Sequence, residues 1–271
     1  MKLRGNLVIG AVLTGAILAL ALVSYGWTPH SAIDIDVSRR LRDPSAEFWL
    51  GTDQFGRDVF SMIMVGARNS IAVGLISVGI GVSLGVSLGL LAAARRGWVE
   101  ELVMRFADFT FAFPAVLTAI MITAIFGPGT VNSILAIGIV NVPLFARIAR
   151  GSASQIWTRE YVLAARAAGK GRTRITLEHV LPNILNILVV QATISFAIAI
   201  LAEAALSYLG LGTQPPTPSW GRMLNEAQAQ MYAKPRLAIF PGLAIVLAVL
   251  GLNLLGDGLR DLIDPKLARK R

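Results

Sequence analysis

Cysteine is absent from this chain of 271 residues, and histidine occurs only at His30 and His179. Neither a disulfide framework nor a thiolate metal site is available, and no His pair stands at the spacing a zinc centre uses. Charge is also scarce: charged residues make up 15% of the chain and hydrophobic ones 55%, with a mean hydropathy of +0.65. One water-soluble domain of this size cannot hide that much apolar surface, so lipid is the solvent for much of it. The formal charge of +9 would ordinarily raise nucleic acid as a partner. Long uncharged apolar runs between the basic residues argue against it.

A bilayer core about 30 Å thick takes about 20 helical residues, so the informative measure is how far the chain runs without a charge. Six segments qualify: Gly5 to Pro29, Asn69 to Ala94, two halves of the stretch Phe109 to Ala146, His179 to Ala202, and Leu237 to Gly256. The Phe109 stretch is too long for one crossing, and Gly127-Pro128-Gly129 interrupts it, so a helical hairpin is predicted there. The expected fold is an all-α polytopic membrane protein with about six transmembrane helices. Its N-terminal part, 1–68, is one span plus an extracytoplasmic segment. The core, 69–271, carries five spans, a cytoplasmic region at 147–182 and an extracytoplasmic loop at 206–236.

Six crossings return the chain to its starting side. With the N-terminus cytoplasmic, 17 of the 25 Lys and Arg lie inside and 8 outside, while the 16 acidic residues divide equally. The positive-inside rule therefore predicts that both termini are cytoplasmic. A rival reading of the first segment is a cleaved signal peptide, because Lys2 and Arg4 precede it and Ala19-Leu20-Ala21 resembles a cleavage site. The apolar run continues to Trp27, which suits a membrane interface and favours a retained helix. In the second span Gly81, Gly85 and Gly89 recur every fourth residue. They either line a face that admits another backbone closely or reflect how common glycine is in membrane helices.

Outside the bilayer, the segment from Thr28 to Arg68 is too long for a simple turn and should be structured. The second outer segment, from Ser207, holds Gly210 to Gly221 with Pro215, Pro216 and Pro218, which favours a stiff extended excursion over a helix. A plain linker has little reason to carry Trp220, which favours a packed or partner-facing loop. Between Arg147 and Pro182 lie seven basic residues against Glu160 and Glu178. Arg159 to Gly169 reads as a short helix of strong formers ended by glycine, and a second helical stretch stops at Pro182. From charge alone this is a basic projection held near anionic lipid.

Polar residues within the spans are Asn132, Asn141, Asn186, Gln191, Ser195 and Asn253, with Glu203 at the outer end of the fifth. Such groups usually face protein or a water-filled cavity. Asn141, Gln191, Ser195 and Glu203 are candidates for a translocation path, where Glu203 would meet a cationic group near the outer mouth. The competing account is a carboxylate that reaches interfacial water or a neighbouring Arg. No carboxylate pair, activated nucleophile or metal cluster marks an enzyme. Gly169-Lys170-Gly171 lacks the leading Gly and the following Ser/Thr of a nucleotide loop. An ion-coupled secondary transporter would be expected to carry charges near the midplane, and these spans hold none.

Leu163-Ala164-Ala165, three residues, Gly169, nine residues, then His179-Val180-Leu181-Pro182 resembles the cytoplasmic signature of binding-protein-dependent ABC permeases. Leu163 stands where that signature has Glu, and His179-Val180 replaces its Ile-x. Leu50 to Ser61 and Ser207 to Gly221 resemble outer-face hallmarks of the second permease subunit of dipeptide, oligopeptide and nickel importers. The resemblance implies a type I ABC importer permease fold in a bacterial inner membrane, paired with a homologous permease, two ATPase subunits and an extracytoplasmic binding protein. ATP and Mg would be held by the ATPase subunits, and no cofactor by this chain. It implies that Glu160, Tyr161, Leu163, Ala164, Ala165, Arg166, Gly169, Leu181 and Pro182 form the coupling helix and its supports. Gln214, Pro215, Pro216 and Trp220 would face the binding protein. Loss of the signature Glu at Leu163 removes one charged contact and leaves apolar docking intact.

Overall fold

The computed structural model describes residues 2–263, so Lys266, Arg269, Lys270 and Arg271 of the expected cytoplasmic tail lie outside the described residues. Among the described residues the regular structure is helical, apart from a single bridge between Thr52 and Asp58. Five helical stretches are long and apolar enough to cross a membrane. They are α1 (Lys2–Val23), α2 (Val59–Arg95), α5 (Thr130–Ile156), the run from α7 (Arg172–Ile175) into α8 (Leu181–Tyr208), and α10 (Arg236–Ile263). Shorter helices are α3 (Trp98–Phe111), α4 (Ala115–Phe126), α6 (Glu160–Ala167) and α9 (Trp220–Ala227).

Lipid tails offer no hydrophobic drive for helices to associate, so close packing through small residues has to do it. The glycines of α2 serve this way. A Cβ on Gly81 would fall 2.5 Å from Asn141 Cβ, and on Gly85 and Gly89 it would fall 2.4 Å from the carbonyl oxygens of Val142 and Ala146. The α2 backbone therefore lies directly on α5. The same geometry joins α1 to α10, where a Cβ on Gly10 would lie 2.4 Å from Leu255 N. The first span is a packed member of the bundle.

Four boundaries differ from the sequence expectation. The first helix ends at Val23 rather than Pro29, and Ser24 to Gly26 form a turn. The second begins at Val59, well before Asn69, because Asp58 caps it: its Oδ2 accepts the Ser61 N–H at 2.9 Å and the Ser61 hydroxyl at 2.6 Å. Arg68 is thus helical, stacked 4.7 Å over the Tyr25 ring.

The predicted hairpin is the third difference. Its first half, α4, has 12 residues and reaches only about 18 Å. It crosses only together with α3, from which it is bent by 87°. Pro114 lacks an amide donor and disfavours helix in the residue before it, which places the break at Ala112 to Pro114. Charges on α3 are met by α5: Glu100 accepts from Arg150 Nε at 2.6 Å, and Asp108 pairs with Arg147. The fourth difference is at Pro182, which does not stop its helix. A wider π turn, Thr176–Val180, precedes it, with the Leu181 N–H bonded back to Thr176. The turn absorbs the ring that would otherwise crowd the preceding turn.

Candidate functional site

At one end of the bundle α5 continues past Ala146 and turns at Trp157 into α6. Glu160 in the first turn and Arg166 in the last suit the helix dipole. The end of α6 is a Schellman motif: the Gly169 N–H donates to Arg166 O at 3.0 Å and the Lys170 N–H to Ala165 O at 3.1 Å. Gly169 has φ +83, where side chains are rarely tolerated. Val162 and Ala165 turn toward the core, and Val162 is buried with Trp157, Ile175 and Val180. Tyr161 and Leu163 are left 45% and 51% exposed, and Ala164 and Arg166 are exposed beside them. Leu181 packs against the same core, and Pro182 is exposed. This short helix therefore leaves its large apolar side chains uncovered within the chain.

Within the bundle a cavity of about 240 Å³ lies between the α3–α4 break, α5 and α8. Its wall is mainly apolar, with Phe111, Phe113 and Val116 on one side and Ile198 and Leu206 on the other. Asn141 from α5 and Ser195 from α8 both line it. Asn141 donates to Ile137 O at 2.8 Å within its own helix, and Gln191 donates to Ser195 Oγ at 3.4 Å, one turn away. Asn132 is structural, closing the α4–α5 turn by donating to Phe126 O and Gly127 O, both at 2.9 Å.

Glu203 does not face this cavity, and it reaches neither water nor an arginine. It is 0% exposed and accepts hydrogen bonds from Ser207 at 2.7 Å, Ser70 at 2.8 Å and Thr213 at 3.4 Å. The carboxyl therefore ties α8 to α2 and to the outer loop.

At the opposite end of the bundle the loops are folded in on themselves. Trp220 is 1% exposed, its indole N–H donates to Ile63 O at 3.1 Å, and its ring covers Gly66 of α2. It is the anchor of the loop and not an outward contact. Pro215, Pro216 and Thr217 are exposed, while Gln214 is half-buried and donates to Gly210 O and Gly212 O at 2.9 Å. After Ser219, whose hydroxyl accepts the Arg222 N–H, the segment becomes helical as α9. Arg57 is held between Asp53, 2.7 Å from its Nε, and Glu226 of α9. Burial disfavours its charge, but the two carboxylates outweigh this and raise its pKa above the ordinary arginine value. The Asp53–Arg57–Glu226 cluster was missed as a unit. The signal available was three charged residues within 53–58, with nothing to name their partner in α9.

Residues 85–269 match the family described as the binding-protein-dependent transport system inner membrane component. The chain belongs to that family. Among its relatives, a dipeptide transport system permease protein, DppC, of Alkalihalophilus pseudofirmus is 43% identical over 96% of this chain and 86% of its own length. Glutathione transport system permease proteins, GsiD, are 44% identical in Pectobacterium atrosepticum, over 95% of this chain and 87% of theirs, and 43% identical in Escherichia coli, over 97% and 88%. The fold is similar to that of a chain in the solved inward-facing MetNI methionine ABC transporter, with a TM-score of 0.62 at 18% identity, over 75% of this chain and 96% of that one. The projecting helix α6 and the whole of the cavity wall lie within the stretch that matches the family.

Proposed function

We propose that this chain is a permease subunit of an ATP-binding-cassette importer and forms half of a translocation pathway for peptides. A binding protein delivers the cargo on the outer face, and α6 docks on one of two ATPase subunits on the inner face. A homologous permease completes the pathway. The observation that carries this reading is α6 itself: a family-signature helix, anchored by Val162, that leaves Tyr161, Leu163 and Ala164 free beside a glycine-dependent turn. The bent α3–α4 pair counts as one crossing, which returns both termini to the cytoplasm, in keeping with the basic residues gathered at that end.

Alternating access follows from linkage. Nucleotide and loaded binding protein can shift the permease only by binding one of its states better than the other. A peptide cargo is supported by relatives named for dipeptide and glutathione transport. Nickel or another small solute is the alternative cargo. Uptake of a labelled dipeptide, competed by other dipeptides, glutathione or Ni²⁺, separates these.

Replacing Gly169 with Val removes the conformation that ends α6. Dipeptide uptake should fall about tenfold or more while the assembled complex still hydrolyses ATP. Uptake at the wild-type rate with the variant at normal abundance would remove α6 from the mechanism. Uptake that survives ATP depletion but stops when the proton gradient collapses would replace the importer with an ion-coupled carrier.

A further inference from the structure

Beside α6 lies a second cavity, of about 530 Å³, between the end of α2 and the α6–α7 turn. Five cationic side chains line it, Arg95, Arg96, Arg166, Lys170 and Arg172, and no acidic residue does. Lys170 reaches out to Glu178 at 2.7 Å, but among the described residues the four arginines have no carboxylate partner. Like charges gathered in a concavity repel one another unless an anion joins them.

Two independent features mark the same wall. Arg96 has φ +54 and ψ −170, a backbone region that is essentially glycine's, and Gly97 after it shares the bend with φ +61. Such conformations cost free energy, persist only where the surrounding structure holds them, and cluster at ligand clamps and switch regions. Trp157, 9% exposed in the cavity wall, keeps an indole N–H with no acceptor among the described residues. Leu163 and Ile175 give the cavity an apolar side as well.

We propose that this cavity binds the phosphate group of an anionic ligand, with Arg95, Arg96 and Arg172 as its principal contacts. Arginine's planar donor fork matches phosphate oxygens, and a site at the mouth of a span can take that phosphate from a phospholipid headgroup or from a soluble phosphate ester. Because Leu163 and Arg166 belong both to the cavity and to α6, a bound phosphate would bias how α6 meets a partner. The inference uses the topology proposed above, but its readout is binding by the full chain alone, so failure of the transport reading and failure of the site are separately visible.

The full chain, purified in detergent and stripped of lipid, is titrated with phosphatidylglycerol and separately with inorganic pyrophosphate. Wild type should bind one of them saturably. Arg95→Gln/Arg96→Gln/Arg172→Gln should weaken binding about a hundredfold, at about one headgroup contact per charge. Arg105→Gln/Arg159→Gln/Arg260→Gln, which changes net charge equally on the same face outside the cavity, should not. Binding of phosphatidylglycerol without competition by pyrophosphate identifies a headgroup site, and saturation by pyrophosphate alone identifies a soluble ester. Arg96→Gly adds a second readout: it should lose affinity without lowering the melting temperature of the ligand-free chain, because it relieves the backbone. Absence of saturable binding, or equal loss in the control variant, overturns the proposal. So does a cavity variant that binds both probes normally yet no longer copurifies with the ATPase subunits, which would make the cavity a seat for their acidic side chains.

Discussion

The two faces of this protein treat similar raw material in opposite ways. On the face that carries Trp220, aromatic and charged residues turn inward: Trp220 fills the space over Gly66, Arg57 lies between Asp53 and Glu226, and Glu203 is enclosed by three hydroxyls. At the other end, Tyr161 and Leu163 are bare and four arginines line a cavity with no carboxylate partner among the described residues. A notable residue in a loop is thus no guide to a partner until its burial is known. The loops at the Trp220 end are a clasp closed within the chain, and the projection at the α6 end is a surface left open.

The sharpest way to break this contrast is to truncate one aromatic on each face. Trp220→Ala should destabilise the chain by about 3–5 kcal/mol, seen as an earlier thermal unfolding transition in detergent, because a large ring is lost from a packed site. Tyr161→Ala should leave that transition within about 0.5 kcal/mol of wild type and weaken copurification with the ATPase subunits instead. If the two variants exchanged phenotypes, the clasp and the open surface would have been assigned to the wrong ends.

A smaller effect sharpens the account of the clasp. Glu203→Leu strands the hydroxyls of Ser70, Ser207 and Thr213 and should cost about 2 kcal/mol, whereas Glu203→Gln, which keeps an acceptor, should cost much less. Equal losses would mean that the charge, not the hydrogen bonding, holds α2, α8 and the loop together.

The smallest effect concerns the rim. Asp43 is exposed and accepts from Lys234 at 2.6 Å, with Arg236 alongside, and these partners hold its pKa below the ordinary value. A depressed carboxylate stabilises the fold at pH above its unfolded pKa of about 4 and loses that contribution as pH falls through the folded value. Protection of the amides of residues 40–52, taken relative to the intrinsic exchange rate at each pH, should therefore fall slightly as the pH drops below about 4, and Asp43→Asn should flatten that response. An unchanged response in the variant would detach the rim from this ion pair.

Much of this architecture was readable because the membrane imposes a simple rule: uncharged helical length. That rule places α1, the body of α2, α5, α8 and α10, and the glycine spacing in α2 marks the face that meets α5. The turn at Gly169 was readable too, since a helix of strong formers followed by glycine announces its own end. The same rule fails at Pro114. Absence of charge certifies solubility in lipid but not continuity of the helix, so a bend of 87° hid inside an uncharged run. The start of α2 at Asp58 was present as a capping residue and overlooked because Arg68 interrupts the uncharged count. Pro182 looked like a terminator because a π turn is not visible in composition.

The amino-acid sequence by itself determined that this chain lives in a bilayer, which five long segments are apolar enough to cross it, and where a short signature helix follows the third of them. These follow from local chemistry, from the cost of putting charge and unpaired backbone into hydrocarbon. Only the tertiary structure decided which polar residues meet one another. Glu203 and Ser70 are 133 positions apart, and Arg57 and Glu226 are 169 apart. No local rule pairs groups so distant, because burial and hydrogen bonding belong to the packed bundle and not to any one of its helices.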